Sequence, residues 1–157
     1  MKIVRIGPDQ WEWFREVRLA SLADSPAAFV SRHEDWVDAP EDRWRSRLRD
    51  VQLTLLAREG DRVVGVASGA LQGDDAVELI SMWVSPEARR SGVARSLIDA
   101  VVGWADALGR TTHLMVRSDN ARAIAAYSRA GFVDRGVPDD WPVDEAPENR
   151  MDFAGRC

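Results

Sequence analysis

At 157 residues, 45% hydrophobic and 30% charged, the chain suits one globular domain spanning 1–157, with a core that needs no metal or disulfide staple. A net charge of −5 and a pI near 5.1 exclude the overall basic face expected of a nucleic-acid binder. No run approaches the roughly 18–20 apolar residues of a bilayer span, Met1–Trp11 holds no signal-like stretch, and Cys157, the single cysteine, forms no intramolecular disulfide. The expectation is a soluble cytoplasmic protein with no membrane partner.

Lys2-Ile3-Val4-Arg5-Ile6 alternates polar and apolar and reads as a first strand. Pro8 and Asp9 open a helix whose Trp11, Phe14, Val17 and Leu22 recur near helical spacing. Pro26 and Pro40 bracket a loop, and Pro40-Glu41-Asp42 begins a shorter helix to about Arg49. Val51–Arg58 and Arg62–Leu71 read as strands joined by the hairpin signal Glu59-Gly60-Asp61, and a third strand, Ala76–Val84, follows the turn Gly73-Asp74-Asp75. Ser85-Pro86 ends that strand, because proline cannot extend a ladder.

A long helix is expected from Ser91 to Leu108, with Val93, Leu97, Val101, Trp104 and Leu108 on one stripe and Gly109 as its stop. There follow a strand (Thr112–Val116), a helix (Asn120–Ala130), a strand from Phe132 and a last strand near Arg150–Phe153. The order β-α-α-β-β-β-α-β-α-β-β implies an α/β fold, a mixed sheet flanked by helices.

Val84-Ser85-Pro86-Glu87-Ala88-Arg89-Arg90-Ser91-Gly92-Val93-Ala94 leads from a strand into that long helix through small residues. The first amides of a helix lack partners and carry partial positive charge, so they suit a phosphate. Arg89, Arg90 and Arg95 add positive charge locally, against the net negative field. By these residues alone the stretch is either such a cradle or an ordinary strand–helix turn. It is neither a Walker A loop nor a Gly-x-Gly-x-x-Gly fingerprint.

Arg89-x-x-Gly92-x-Ala94 after Val84 resembles the Gln/Arg-x-x-Gly-x-Gly/Ala element of the GNAT superfamily of N-acetyltransferases. A second stretch, Asn120-x-x-Ala123-x-x-x-Tyr127-x-x-x-Gly131-Phe132, resembles that family too, in the same order and spacing. The resemblance implies a GNAT (acyl-CoA N-acyltransferase) fold, with a mostly antiparallel sheet of about 6–7 strands and about 4 helices. It implies acetyl-CoA as cosubstrate, with no metal. The amides of Arg89 to Arg95 (Arg90, Ser91, Gly92, Val93 and Ala94 between them) would hold its pyrophosphate. The strand edge at Met82, Trp83 and Val84 would pair with the pantetheine arm. Asn120 and Ala123 would line that arm, and the Val84 amide would face the oxyanion.

Tyr127, the only tyrosine, is by its residue type either a core aromatic or a proton donor. The resemblance favours the donor, acting on the departing thiolate. Strand alternation puts Glu78, Ile80, Met82 and Val84 on one face, with Val77, Leu79, Ser81 and Trp83 on the other. Glu78 is then either a partly desolvated general base or a strand-end carboxylate near solvent.

The acceptor side is read from Asp134–Glu148, with six acids, one base and three prolines around Trp141. It is either a solvated loop or a border that suits a small cationic amine. Ser25-Pro26-Ala27-Ala28-Phe29 and Trp36 to Trp44 hold the position of the pocket's other wall. His33 is there a second base or a surface residue, and His113 is structural.

The function the resemblance implies is direct transfer of acetyl from acetyl-CoA to a primary amine in a ternary complex. Transfer to protein N-termini or lysines stays open, as does a homodimer. A non-catalytic acyl-CoA-binding regulatory domain is the rival of another class.

Overall fold

The computed structural model describes residues 1–26 and 31–155. Seven strands form one sheet in the order β1-β2-β3-β4-β5-β7-β6. They are β1 (Lys2–Arg5), β2 (Leu53–Glu59), β3 (Arg62–Gln72), β4 (Ala76–Val84), β5 (Thr111–Arg117), β6 (Phe132–Asp134) and β7 (Glu148–Phe153). Every neighbouring pair is antiparallel except β4 with β5. The helices are α1 (Trp11–Asp24), α2 (His33–Trp36), α3 (Glu41–Asp50), α4 (Val93–Ala107) and α5 (Ala121–Arg129).

The turn residues act where the chemistry of the backbone needs them. Gly60 takes φ +61 in the two-residue loop that joins Glu59 to Arg62 across the β2–β3 hairpin. Gly109, at φ +70, follows the last turn of α4. The expected hairpins, the long helix and the final strands all lie within two residues of their positions in the sequence reading. The four-residue α2 was not foreseen; it lies in the loop between Pro26 and Pro40.

Each sheet face buries its own core. On one, α4 lays Val93, Leu97, Val101 and Ala105 over Val64, Ala67, Val77 and Leu79. A Cβ at Gly65 would stand 3.0 Å from Leu97 Cδ1 and 3.2 Å from Val93 Cγ1, so the glycine lets α4 sit close on β3. On the other face α1 and α3 bury Phe14, Val17, Trp44 and Leu48 against Leu56, Val66 and Trp83. Phe14 meets Trp44 edge-on at 6.0 Å.

Two irregularities of β4 shape the centre of the sheet. Val66 pairs with Trp83 and Ser68 with Ile80, so Ser81 and Met82 of β4 oppose Ala67 alone on β3, and Ser81 takes φ +56. This bulge reverses the parity of the strand. The expected single face of Glu78, Ile80, Met82 and Val84 is therefore corrected. Val84 joins the α4 core with Val77 and Leu79, and Trp83 joins the α1/α3 core. Second, β4 pairs with β5 only at Ala76↔Thr111, Val77↔Thr112 and Glu78↔His113. Beyond that fork both strands continue with their facing edges unpaired, leaving backbone donors and acceptors unmatched.

Candidate active site

From Val84 the chain passes through a 3-10 turn, Pro86–Ala88, before α4 begins. Arg90 (φ +69) and Gly92 (φ +89) are both left-handed, which turns successive amides toward one side. Gly92 is the N-cap of α4 and brings no side chain to satisfy the first amides of the helix. Ser91 Oγ instead donates to the Ala88 carbonyl, closing the turn. A groove of about 540 Å³ lies against this end of α4, lined by Arg90, Gly92, Ala94 and Arg95 and, from α5, by Arg122, Ala126 and Arg129. Val93 is buried and turns its side chain into the core.

Not every arginine of the turn is available to a ligand. Arg89 donates from Nε to the Val84 carbonyl (2.9 Å) and from Nη2 to Asp24 Oδ2 (2.6 Å). The Trp83 indole donates to the same carboxylate at 2.9 Å. Hydrogen bonds from Trp83, Ser25 and Arg89 hold Asp24 below the usual carboxylate range. Arg89 and Trp83 thus anchor the turn to the end of α1. The Trp83 ring is buried beside α1 and α3, away from the groove. Arg95 pairs with Asp99 one turn on, at 3.4 Å.

The open edge of β4 leads from this groove to a cleft of about 350 Å³ at the fork. Ser85 N–H donates to the Val64 carbonyl at 2.8 Å. Amides alternate along a strand, so the N–H of Val84 points the other way, to the edge that β5 has left. Asn120 caps α5 by accepting from the Ala123 amide at 3.2 Å. One face of α5 then lines the cleft with Ala123 and Tyr127. The Tyr127 ring packs edge-on against Phe132 at 5.9 Å, and burial pushes its hydroxyl up to about 12. The hydroxyl therefore keeps its proton throughout the physiological range.

Glu78 lines the same cleft, accepting from Gln72 Nε2 at 2.6 Å, with His113 Nε2 3.8 Å away. Burial first, and the Glu148 carboxylate second, raise its pKa, with Arg150 opposing. Glu148, whose own pKa is raised by burial, lines the cleft as well. His113 is buried in β5 and kept neutral by that burial and by Arg150. His33 opens α2 and is not among the cleft residues, while Phe29 and Cys157 lie outside the described residues. The Asp134–Glu148 segment meets the cleft only through Glu148.

Among the cleft residues that the sequence reading missed are Arg18 on α1, Arg47 on α3 and Arg117 on β5. Burial lowers the guanidiniums of Arg18 and Arg47 to about 10, and Arg47 also acts on Arg18. The signal was present. Arg18 stands four residues after Phe14 and four before Leu22, and Arg47 three after Trp44, so both fall on buried helical stripes. Arg122 and Arg129 of the anion groove were also missed. Among the described residues no cluster of three His, Cys, Asp or Glu could hold a metal, and no helix is long and apolar enough to cross a membrane.

Residues 10–132 match the model of the Acetyltransferase (GNAT) family. Mycothiol acetyltransferase of Actinosynnema mirum is 30% identical over 132 residues, covering 83% of this chain and 39% of that protein. Mycothiol acetyltransferase of Streptomyces bingchenggensis is 30% identical over 139 residues, covering 84% and 42%. The chain thus spans about two fifths of the length of these curated relatives. Among solved structures, yncA from Salmonella typhimurium with its cofactor acetyl-CoA superposes with a TM-score of 0.70 at 19% identity, covering 97% of this chain and 92% of that one.

Proposed function

The chain belongs to the GNAT acetyltransferase family, and from that premise we propose that residues 1–157 act as one acetyl-CoA-dependent N-acetyltransferase domain. The transfer is direct, to a small primary amine bound beside the cosubstrate. The observation that carries this reading is that two unsatisfied backbone surfaces follow one another, at the groove of α4 and along the edge that leads from it to the cleft. These are the uncapped amides of α4 and the β4 edge released beyond Glu78↔His113.

The uncapped amides at Gly92–Arg95 suit a diphosphate, with Arg90, Arg122 and Arg129 supplying charge along the groove. Gly92 has open space where a Cβ would stand, so an anion can reach the backbone. The free edge at Met82 and Val84 suits the amide-bearing pantetheine arm, with Asn120 and Ala123 along its path. Acetyl-CoA supplies the acetyl group as a thioester.

The remaining work falls to three groups of this chain. An alkyl ammonium with a pKa of about 10.4 is less than ~0.1% neutral at pH 7, a cost of roughly 4–5 kcal/mol. Glu78, with its raised pKa, accepts that proton, directly or across a water. The amine nitrogen then bonds to the carbonyl carbon. The Val84 N–H faces the carbonyl oxygen as negative charge develops, worth ~3 kcal/mol in a dry site. Tyr127 gives its proton to sulfur as the carbon–sulfur bond breaks, and the acylated nitrogen sheds its second proton to the tyrosinate, which leaves a neutral amide and restores the hydroxyl. The small volume of the cleft, about 350 Å³ for both reacting ends, supports a small-molecule acceptor.

A thiol-release assay with acetyl-CoA and a panel of amines tests the reading. We expect turnover with at least one amine, and a Tyr127→Phe variant that loses ~10²-fold in kcat with CoA affinity retained. Equal rates in wild type and variant would remove Tyr127 from its role. CoA binding without turnover on any amine would mark a regulatory acyl-CoA binder.

A further inference from the structure

The proposed reaction needs one charged group of the acceptor, its ammonium, and the cleft is built for two. Its carboxylates, Glu78 and Glu148, come from the sheet at the fork. Arg117 of β5 stands on that same side and pairs with Asp119 at 2.9 Å. The cations of the opposite side, Arg18 and Arg47, come from α1 and α3, which pack on the face that Ser68 and Ser81 share. Two adjacent guanidiniums are costly to bury, and each is more easily buried beside an anion.

Arg47 is held by neutral groups. Its Nη2 donates to Ser81 Oγ at 3.1 Å and to Ser68 Oγ at 3.3 Å. Ser68 Oγ is itself 3.2 Å from Thr54 Oγ1. Its guanidinium carbon lies 5.1 Å from the Phe14 ring centroid. These partners are neutral: they fix the position of the charge without cancelling it. Its Nη1 is buried and has no hydrogen-bond partner among the described residues. The bulge that gives Ser81 its left-handed backbone is part of this arrangement, because Ser81 Oγ is one of the two hydroxyls that hold Arg47. The planar fork is thus fixed at Nη2, and Nη1, with Arg18 beside it, is the pre-positioned donor left for a carboxylate.

We propose that the acceptor is an amine bearing a carboxylate, an amino-acid-like zwitterion whose carboxylate docks on Arg18 and Arg47 while its ammonium faces Glu78 and Glu148. This rests on the acetyl-transfer reading and narrows its acceptor class. The acidic side of the cleft suits the cationic end of such a molecule, and the arginine pair accounts for the other end.

The test compares free amino acids with their primary amides and their decarboxylated amines, side chain by side chain, as acceptors for thiol release. In wild type, kcat/KM for the best amino acid should exceed that for its amide by ~10–100-fold. In Arg47→Gln the ratio should fall toward one, with CoA binding serving as the check that the variant is folded. Arg47→Lys, which keeps the charge and loses the fork, should recover only part of the preference. Wild type that acetylates the amide or the decarboxylated amine as well as the amino acid would overturn the inference and leave acetyl transfer standing. No turnover on any amine would overturn both.

Discussion

Glu78 shows how a single side chain acquires a role from its neighbours. In water a glutamate is fully ionised near neutrality and is a weak base for an ammonium. Partial burial and the Glu148 charge raise its pKa, while Gln72 donates to one oxygen and fixes the other in place. The base must be ionised to accept a proton, so activity should rise with pH through the folded-state pKa of Glu78. That limb of the kcat/KM profile should lie above the reference value of about 4.3. Glu78→Gln should abolish the limb and lower the plateau by ~10²–10⁴-fold. A variant that keeps the limb unshifted would assign it to another group. Tyr127 could be picked out as the only tyrosine, inside the second motif, and Glu78 from its place on the strand that leads to the Arg89 element. Arg18 and Arg47 could not be picked out as a pair. One is on the first helix and one on the third, and only the packing of Phe14 on Trp44 brings those helices together.

The strands and long helices were legible because hydrophobic period and turn chemistry agree along most of the chain. Alternation failed at one place, β4. Ser81 adopts a left-handed backbone with no glycine to mark it, and the bulge moves Val84 to the face opposite Glu78. That local departure places the Val84 amide on the open edge and Ser81 beside Arg47. The fork itself had no sequence mark either, since strand pairing that stops after three residues is a tertiary fact. At the end of α5, by contrast, the glycine was readable and its reason is now visible. Gly131 takes φ +108, and a Cβ there would stand 2.8 Å from the Gly155 carbonyl oxygen. Gly131→Ala should therefore destabilise the protein by about 1–3 kcal/mol, through strain and a backbone clash. Urea unfolding should show a lower midpoint with an unchanged slope. An unshifted midpoint would mean that β6 and the segment after β7 are not held as described.

Over the whole molecule, charge and function run in opposite directions. The chain carries −5 overall, yet the groove at α4 gathers Arg90, Arg95, Arg122 and Arg129, and the cleft beyond it is lined by Arg18, Arg47 and Arg117. Such local concentration is what an anionic ligand requires of an acidic protein. The two cores, one on each face of the sheet, fix where those charges stand. One holds α4 with its N-terminus at the open edge of β4, and the other holds α1 and α3 over the fork. The central claim is that the amides opening α4 grasp a diphosphate. Titration calorimetry of CoA against pantetheine, which has the same thiol arm without the diphosphate, tests it most directly. The account predicts saturable heat with CoA and at least ~10²-fold weaker binding of pantetheine. No heat with CoA or acetyl-CoA, or equal binding of pantetheine, would contradict it.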